Sequence, residues 1–113
     1  MILTGICKEK FLEWYWNEWF DDKERNYYEE NEIAVKALYT TDTAFLNALI
    51  IEFFDSVGII INIVNQDLQR WFYYVIKTTE RIEGFNLVRA RQEATIQAIK
   101  KANDLYNSRY ENV

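Results

Sequence analysis

The chain contains no histidine and no proline, a single cysteine, a single methionine and only three glycines in 113 residues. Without histidine the commonest general base, metal ligand and triad member is missing. That excludes Ser/His/Asp hydrolases, Cys/His proteases and histidine-bearing zinc sites. Cys7, standing alone, can form no internal disulfide, and with no histidine to activate it, it reads as a small, partly buried hydrophobe. The glycines are isolated at Gly5, Gly58 and Gly84, so there is no glycine-rich loop to cradle a phosphate. The longest apolar stretches, around Ala48 to Ile51 and Gly58 to Val64, are short and are interrupted by Asn47, Glu52, Asp55 and Asn62. No membrane span is expected. Nor does the N-terminus combine a basic region, a long apolar run and a small-residue cleavage site, so a cytoplasmic location is expected. Repeats, low-complexity tracts and Pro-rich or Gly/Ser linkers are absent, and residues 1–113 are expected to form one domain.

Aromatic residues are abundant: four Trp, eight Tyr and seven Phe. This exceeds what so small a core needs and favours exposed aromatic surface for binding. Net charge is −5 and unevenly spread, twelve acids against five bases in Met1 to Ser56, and six against eight in Val57 to Val113. The acidic half serves either solubility or attraction to a basic partner, and the basic half leaves room for phosphate contacts.

The hydrophobic period predicts an α+β fold with three N-terminal helices, a central antiparallel β-hairpin and a long C-terminal helix packed on it. Thr4 is placed to cap a helix from about Ile6 to Phe20, with a stripe of Leu12, Tyr15, Trp16 and Trp19 and with Phe11 and Phe20 on its flanks. Trp14 lies opposite Leu12, so it either faces water or a partner, or packs under a later segment of the chain. Asp21-Asp22-Lys23-Glu24 opens a second, strongly acidic helix from about Lys23 to Tyr39 that carries Glu29 and Glu30. Ala44 to Ser56 is apolar on nearly all sides and is expected to be the buried central helix, stopped by Gly58 in the left-handed conformation.

From Gly58 to Ile76 the period changes to that of strands. Two runs rich in β-branched and aromatic residues flank the polar Asn65 to Arg70 turn. Alternation puts Ile59, Ile61 and Ile63 on one face of the first strand, and Ile60, Asn62 and Val64 on the other. The second strand separates Phe72, Tyr74 and Ile76 from Trp71, Tyr73 and Val75. Both faces are apolar, so helices cover both or one is left open. Two strands alone are marginally stable, so packing on helices, or a third strand from Met1 to Leu3 or from another subunit, is expected. The final helix is expected from Val88 to about Tyr106, with Arg89 and Glu93 paired across one turn and a frayed tail from Asn107.

For catalysis, a small nuclease would need a helix acid, a hairpin Asp and a Glu-x-Lys pair. Glu52, Asp55 and Asp67 offer acids, but Val75 stands two before Lys77 and the pair is broken. No metal set, cofactor or catalytic residue is expected, and the chain reads as a non-enzyme. Nucleic-acid binding is the alternative: Trp71, with Tyr73 or Tyr74, would stack on bases, with Arg70, Lys77, Arg81, Arg89 and Arg91 for phosphates. The Gly-Phe-x-Phe core of RNA-recognition motifs is absent.

The element Gly84-Phe-Asn-Leu-Val-Arg-Ala-Arg-Gln-Glu-Ala-Thr-Ile-Gln-Ala-Ile-Lys-Lys-Ala-Asn103, with Phe11-Leu-Glu-Trp-Tyr and Phe53-Phe54-Asp55-Ser56-Val57-Gly58, resembles small accessory proteins of phages and mobile elements. The resemblance carries over no functional residue. It implies a class of short, acidic proteins that includes inhibitors of bacterial immunity such as anti-CRISPR proteins. On that expectation the chain binds a basic, nucleic-acid-handling protein through Trp14, Asp21, Asp22, Glu24, Glu29 and Glu30. A structural or self-assembling module, and with it a homo-oligomer, is the remaining expectation.

Overall fold

In the computed structural model, residues 2–19, 43–66, 70–84 and 87–111 are described. They form an α+β unit: α1 (Gly5–Trp19), α2 (Thr43–Ser56), β1 (Ile60–Asn65), β2 (Phe72–Lys77), β3 (Ile82–Glu83) and α3 (Arg91–Glu111). The expected helix from Lys23 to Tyr39 lies outside the described residues. The sheet is antiparallel, in the order β1-β2-β3.

The start of α1 is held from a distance. Thr4 occupies the cap position, but its hydroxyl accepts a bond from Asn103 Nδ2 at 3.0 Å and does not cap the helix. The free N–H of Cys7 donates instead to Asn107 Oδ1 at 2.8 Å, and Asn107 Nδ2 donates to the Thr4 carbonyl at 3.0 Å. The Thr4 N–H completes the clamp by donating to Asn103 Oδ1 at 3.0 Å. Asn103 and Asn107, four apart and buried, thus satisfy the helix-start groups that would otherwise be orphaned. The chain from Asn107 is therefore no frayed tail; α3 runs on to Glu111.

Of the expected stripe of α1, Trp16 is buried and Tyr15 packs on the core, as does the flanking Phe11. Leu3, Cys7 and Phe11 line the core at spacings of four, and Leu12 is only half-buried. Trp14 continues this inward line, its ring centroid 6.1 Å from Phe11 and 5.8 Å from Phe53 of α2. Phe53 also meets Phe11 edge-on at 5.7 Å and Tyr106 of α3 at 5.8 Å, so one ring joins all three helices.

α2 buries one side, Leu46, Leu49, Ile50, Phe53 and Phe54. Its other side is not covered as the all-round apolarity suggested: Phe45 is 51% exposed, and Ala44 and Ala48 are exposed too. Gly58 ends the helix as expected, at φ +80°. The Ile59 N–H reaches back to Phe54 C=O at 2.9 Å and the Gly58 N–H to Asp55 C=O at 3.3 Å, while Ile59 packs in the core beside Phe54. This pattern of two returning bonds closes the helix and aims the chain into β1.

Helices pack on the hairpin, and a third strand, Ile82–Glu83, pairs with Ile76 and Lys77. Farther along, Val88 exchanges both backbone bonds with Phe72, at 2.8 and 2.9 Å. Between these pairings the returning chain has one residue more than β2. Gly84 opens that interval, where a Cβ would stand 2.8 Å from the Tyr74 carbonyl oxygen, so the close approach needs glycine. With Val88 committed to the ladder, the helix cannot begin there, and α3 starts at Arg91. Its Ala94, Ala98 and Ala102, all fully buried, let the backbone come close to the sheet.

Candidate binding face

The β1–β2 register decides which hairpin face is covered. Ile61 lies opposite Ile76, and Ile63 opposite Tyr74. These residues and Ile59 pack with α2 and α3 into the core. The other face carries Ile60 opposite Lys77, Asn62 opposite Val75 and Val64 opposite Tyr73, and continues to Ile82 opposite Lys77 on β3. Among the described residues none of these outer side chains joins the core cluster. Ile82 is 71% exposed and Ile60 39%. Val64, Trp71, Tyr73 and Val75 are half-buried. A shallow, open depression of about 520 Å³ runs along this face between β1 and β2, lined in part by Asn62, Val64, Val75 and Lys77.

The cationic and aromatic residues of the expected nucleic-acid surface are divided by this geometry. At the turn end of the hairpin, Arg70 is exposed beside Trp71, and the Arg89 guanidinium lies over the Trp71 ring at 5.1 Å. Arg89 precedes α3, so the pairing with Glu93 across a helical turn gives way to this stacking. Tyr73 and Lys77 follow on the same outer face. Arg91 is directed elsewhere, 5.0 Å over the ring of Phe72, whose neighbours in register are Asn65 and Val88. Arg81 bonds Glu83 at 2.9 Å, and Lys101 Nζ lies 3.6 Å from the other Glu83 oxygen. The Arg81 hydrogen bond, assisted by the nearby Lys101 charge, holds the Glu83 carboxyl below its usual range.

Of the residues expected to meet a protein partner, Asp21, Asp22, Glu24, Glu29 and Glu30 lie outside the described residues. Trp14 is described and packs on Phe11 and Phe53, which resolves its two alternatives in favour of a later segment of the chain. Ile60 and Ile82 are not among the residues that the sequence marks for binding, although the period-2 pattern places Ile60 away from Ile59 and Ile61.

A second depression, about 400 Å³ and mostly apolar, lies between α2 and α3 and is lined by Ala48, Ile51 and Thr95 among others. Cys7 is fully enclosed, and burial pushes its thiol up to about 12. It is a packing group, with no thiolate to offer. Among the described residues no three Cys, Asp or Glu side chains converge as metal ligands, and no helix is long and apolar enough to cross a membrane. No family model, curated protein or solved structure matches the chain.

Proposed function

We propose that this chain is a non-enzymatic protein-binding inhibitor or regulator that docks through the outer face of its sheet. One observation supports the reading: exposed aliphatic side chains, Ile60 and Ile82, on a sheet face whose opposite side already supplies the core. Apolar surface gathered on one face and rimmed by polar residues marks an interaction site. Lys77 lies between Ile60 and Ile82 on this face, in register with both, and Asn62 and Arg70 stand at its margins. Aliphatic groups favour a protein over a nucleic acid, because they offer no flat face on which a base can stack. Four of the residues suited to nucleic acid are also engaged within the chain: Trp71 and Arg89 with each other, Arg81 with Glu83, and Arg91 over Phe72. In this reading the acids Asp21, Asp22, Glu24, Glu29 and Glu30 supply a further contact to a basic partner. The functional class is that of the phage accessory proteins that antagonise bacterial immunity.

Arg70, Trp71, Tyr73 and Arg89 gather at one end of the face, and they sustain the second reading, a single-stranded nucleic-acid binder. Ile82→Asp separates the two. Affinity capture from a host lysate should recover a protein with the parent chain and lose it with Ile82→Asp. A direct titration with single-stranded RNA at low salt should show no binding. RNA binding that is abolished by Trp71→Ala with Arg70→Ala would replace the first reading by the second.

A further inference from the structure

Among the described residues no strand pairs with the outer edge of β1, a surface distinct from the outer face of the sheet. The Gln66 N–H donates to the Trp71 carbonyl at 2.9 Å, which makes Gln66–Trp71 a hydrogen-bonded pair. Bonded and non-bonded pairs alternate along an antiparallel ladder. Val64–Tyr73, Asn62–Val75 and Ile60–Lys77 are therefore the bonded pairs, and Ile61 and Ile63 turn their N–H and C=O groups away from β2. The far side of β2 obeys the same phase, since Phe72 bonds Val88 and the Thr78 N–H bonds Arg81 C=O. Among the described residues no strand pairs with the far side of β1.

An open edge is a template for another strand, and proteins blunt it with lysine, proline, a bulge or an inward charge. β1 has none of these. It reads Ile60-Ile61-Asn62-Ile63-Val64-Asn65, uncharged throughout and paired residue for residue with β2.

We propose that β1 pairs antiparallel with β1 of a second copy, about a two-fold axis at Asn62, to form one sheet continuous across both copies. The second copy is favoured over an unrelated strand because the edge is complementary to itself in one register. The outward-bonding residues Ile61 and Ile63 flank Asn62 symmetrically, so Ile61 of each copy meets Ile63 of the other, and each pair exchanges both backbone bonds. On the outer face Asn62 meets its own counterpart, and an amide is both donor and acceptor toward another amide. Ile60 then lies opposite Val64 of the second copy, apolar against apolar. A chain of net charge −5 repels its own kind, and this register brings no charged side chain of either β1 together. The pairing is isologous and closes on two copies. It does not rest on the outer face being a docking surface, because Ile82 and Trp71 take no part in it.

Two variants at Asn62 test the register. A non-hydrogen-bonded antiparallel pair brings Cα atoms to about 4.5 Å, inside the disulfide range of about 4.4–6.8 Å. Cys7 is enclosed, so oxidation reports only an added thiol. Under mild oxidation Asn62→Cys should become a disulfide-linked dimer on a non-reducing gel. Val64→Cys, displaced along the strand from its own counterpart, should form no disulfide and run as a single chain on the same gel. Asn62→Lys, which sets like charges against each other across the axis on an exposed position, should shift sedimentation from dimer to monomer while leaving the circular dichroism unchanged. A parent chain that sediments as monomer at its highest soluble concentration overturns the proposal, as does equal cross-linking of the two cysteine variants.

Discussion

Asn107 does at the start of α1 what a capping side chain normally does from the preceding residue. Its amide accepts from the buried Cys7 N–H and donates to Thr4 C=O at a part-buried position. Asn107→Ala leaves the Cys7 N–H buried and unpaired, and should lower the unfolding free energy by about 1–3 kcal/mol in a denaturant titration. Nothing in the sequence around Asn107 announces this role, because an asparagine near the end of a helix looks the same whether it faces solvent or another helix. Cys7 makes a second prediction at this scale. Its thiol ordinarily titrates at 9.0, and burial in the fold moves it up to about 12. Below pH 9 both folded and unfolded chains are protonated, and the contribution is present in full. Between about pH 9 and 12 the unfolded chain loses the proton while the folded one keeps it, so stability falls as pH rises. The Tyr106 hydroxyl, raised by burial and by its bond with Tyr110, acts in the same direction. Denaturant midpoints measured from pH 8 to 11 should fall more steeply for the parent than for Cys7→Ala.

At the scale of elements, the two glycines that shape the sheet constrain it differently. Gly58 needs its left-handed backbone, yet a Cβ there would meet nothing. Gly84 has no room, because a Cβ would press on the Tyr74 carbonyl oxygen. Gly58→Ala should therefore cost about 1–2 kcal/mol through conformation alone. Gly84→Ala should cost about 1–3 kcal/mol through overpacking and should also loosen the Ile76–Glu83 pairing, seen as faster amide exchange at Glu83. The hairpin and the Gly58 stop were legible in the sequence because each is written locally, in alternation and in one residue with positive φ. β3 was not, since two residues inside a polar stretch carry no period. The start of α3 was misplaced by three residues for a related reason: Val88 suits either helix or strand, and only the Phe72 backbone, distant in sequence, decides.

For the whole molecule, the described helices lie against one side of the sheet, and Ile60 and Ile82 are exposed on the other. Trp14 packs against Phe53, while Ile60 and Ile82 stand out from the sheet. The alternation that separates the two faces is plain in the sequence, but which face is covered depends on how α2 and α3 dock, and that depends on contacts far apart in the chain. The edge of β1 carries its own consequence at this scale, the self-pairing that Asn62→Cys and Asn62→Lys examine.

The docking role of the outer face is tested most directly by the affinity of the captured partner protein for three chains: the parent, Ile82→Asp, and Lys100→Asp on the exposed surface of α3. Ile82→Asp should weaken binding by about tenfold or more, the effect of losing an anchor residue at an interface, and Lys100→Asp should leave it unchanged. Equal affinity of Ile82→Asp and the parent would contradict the assignment of the outer face as the binding surface.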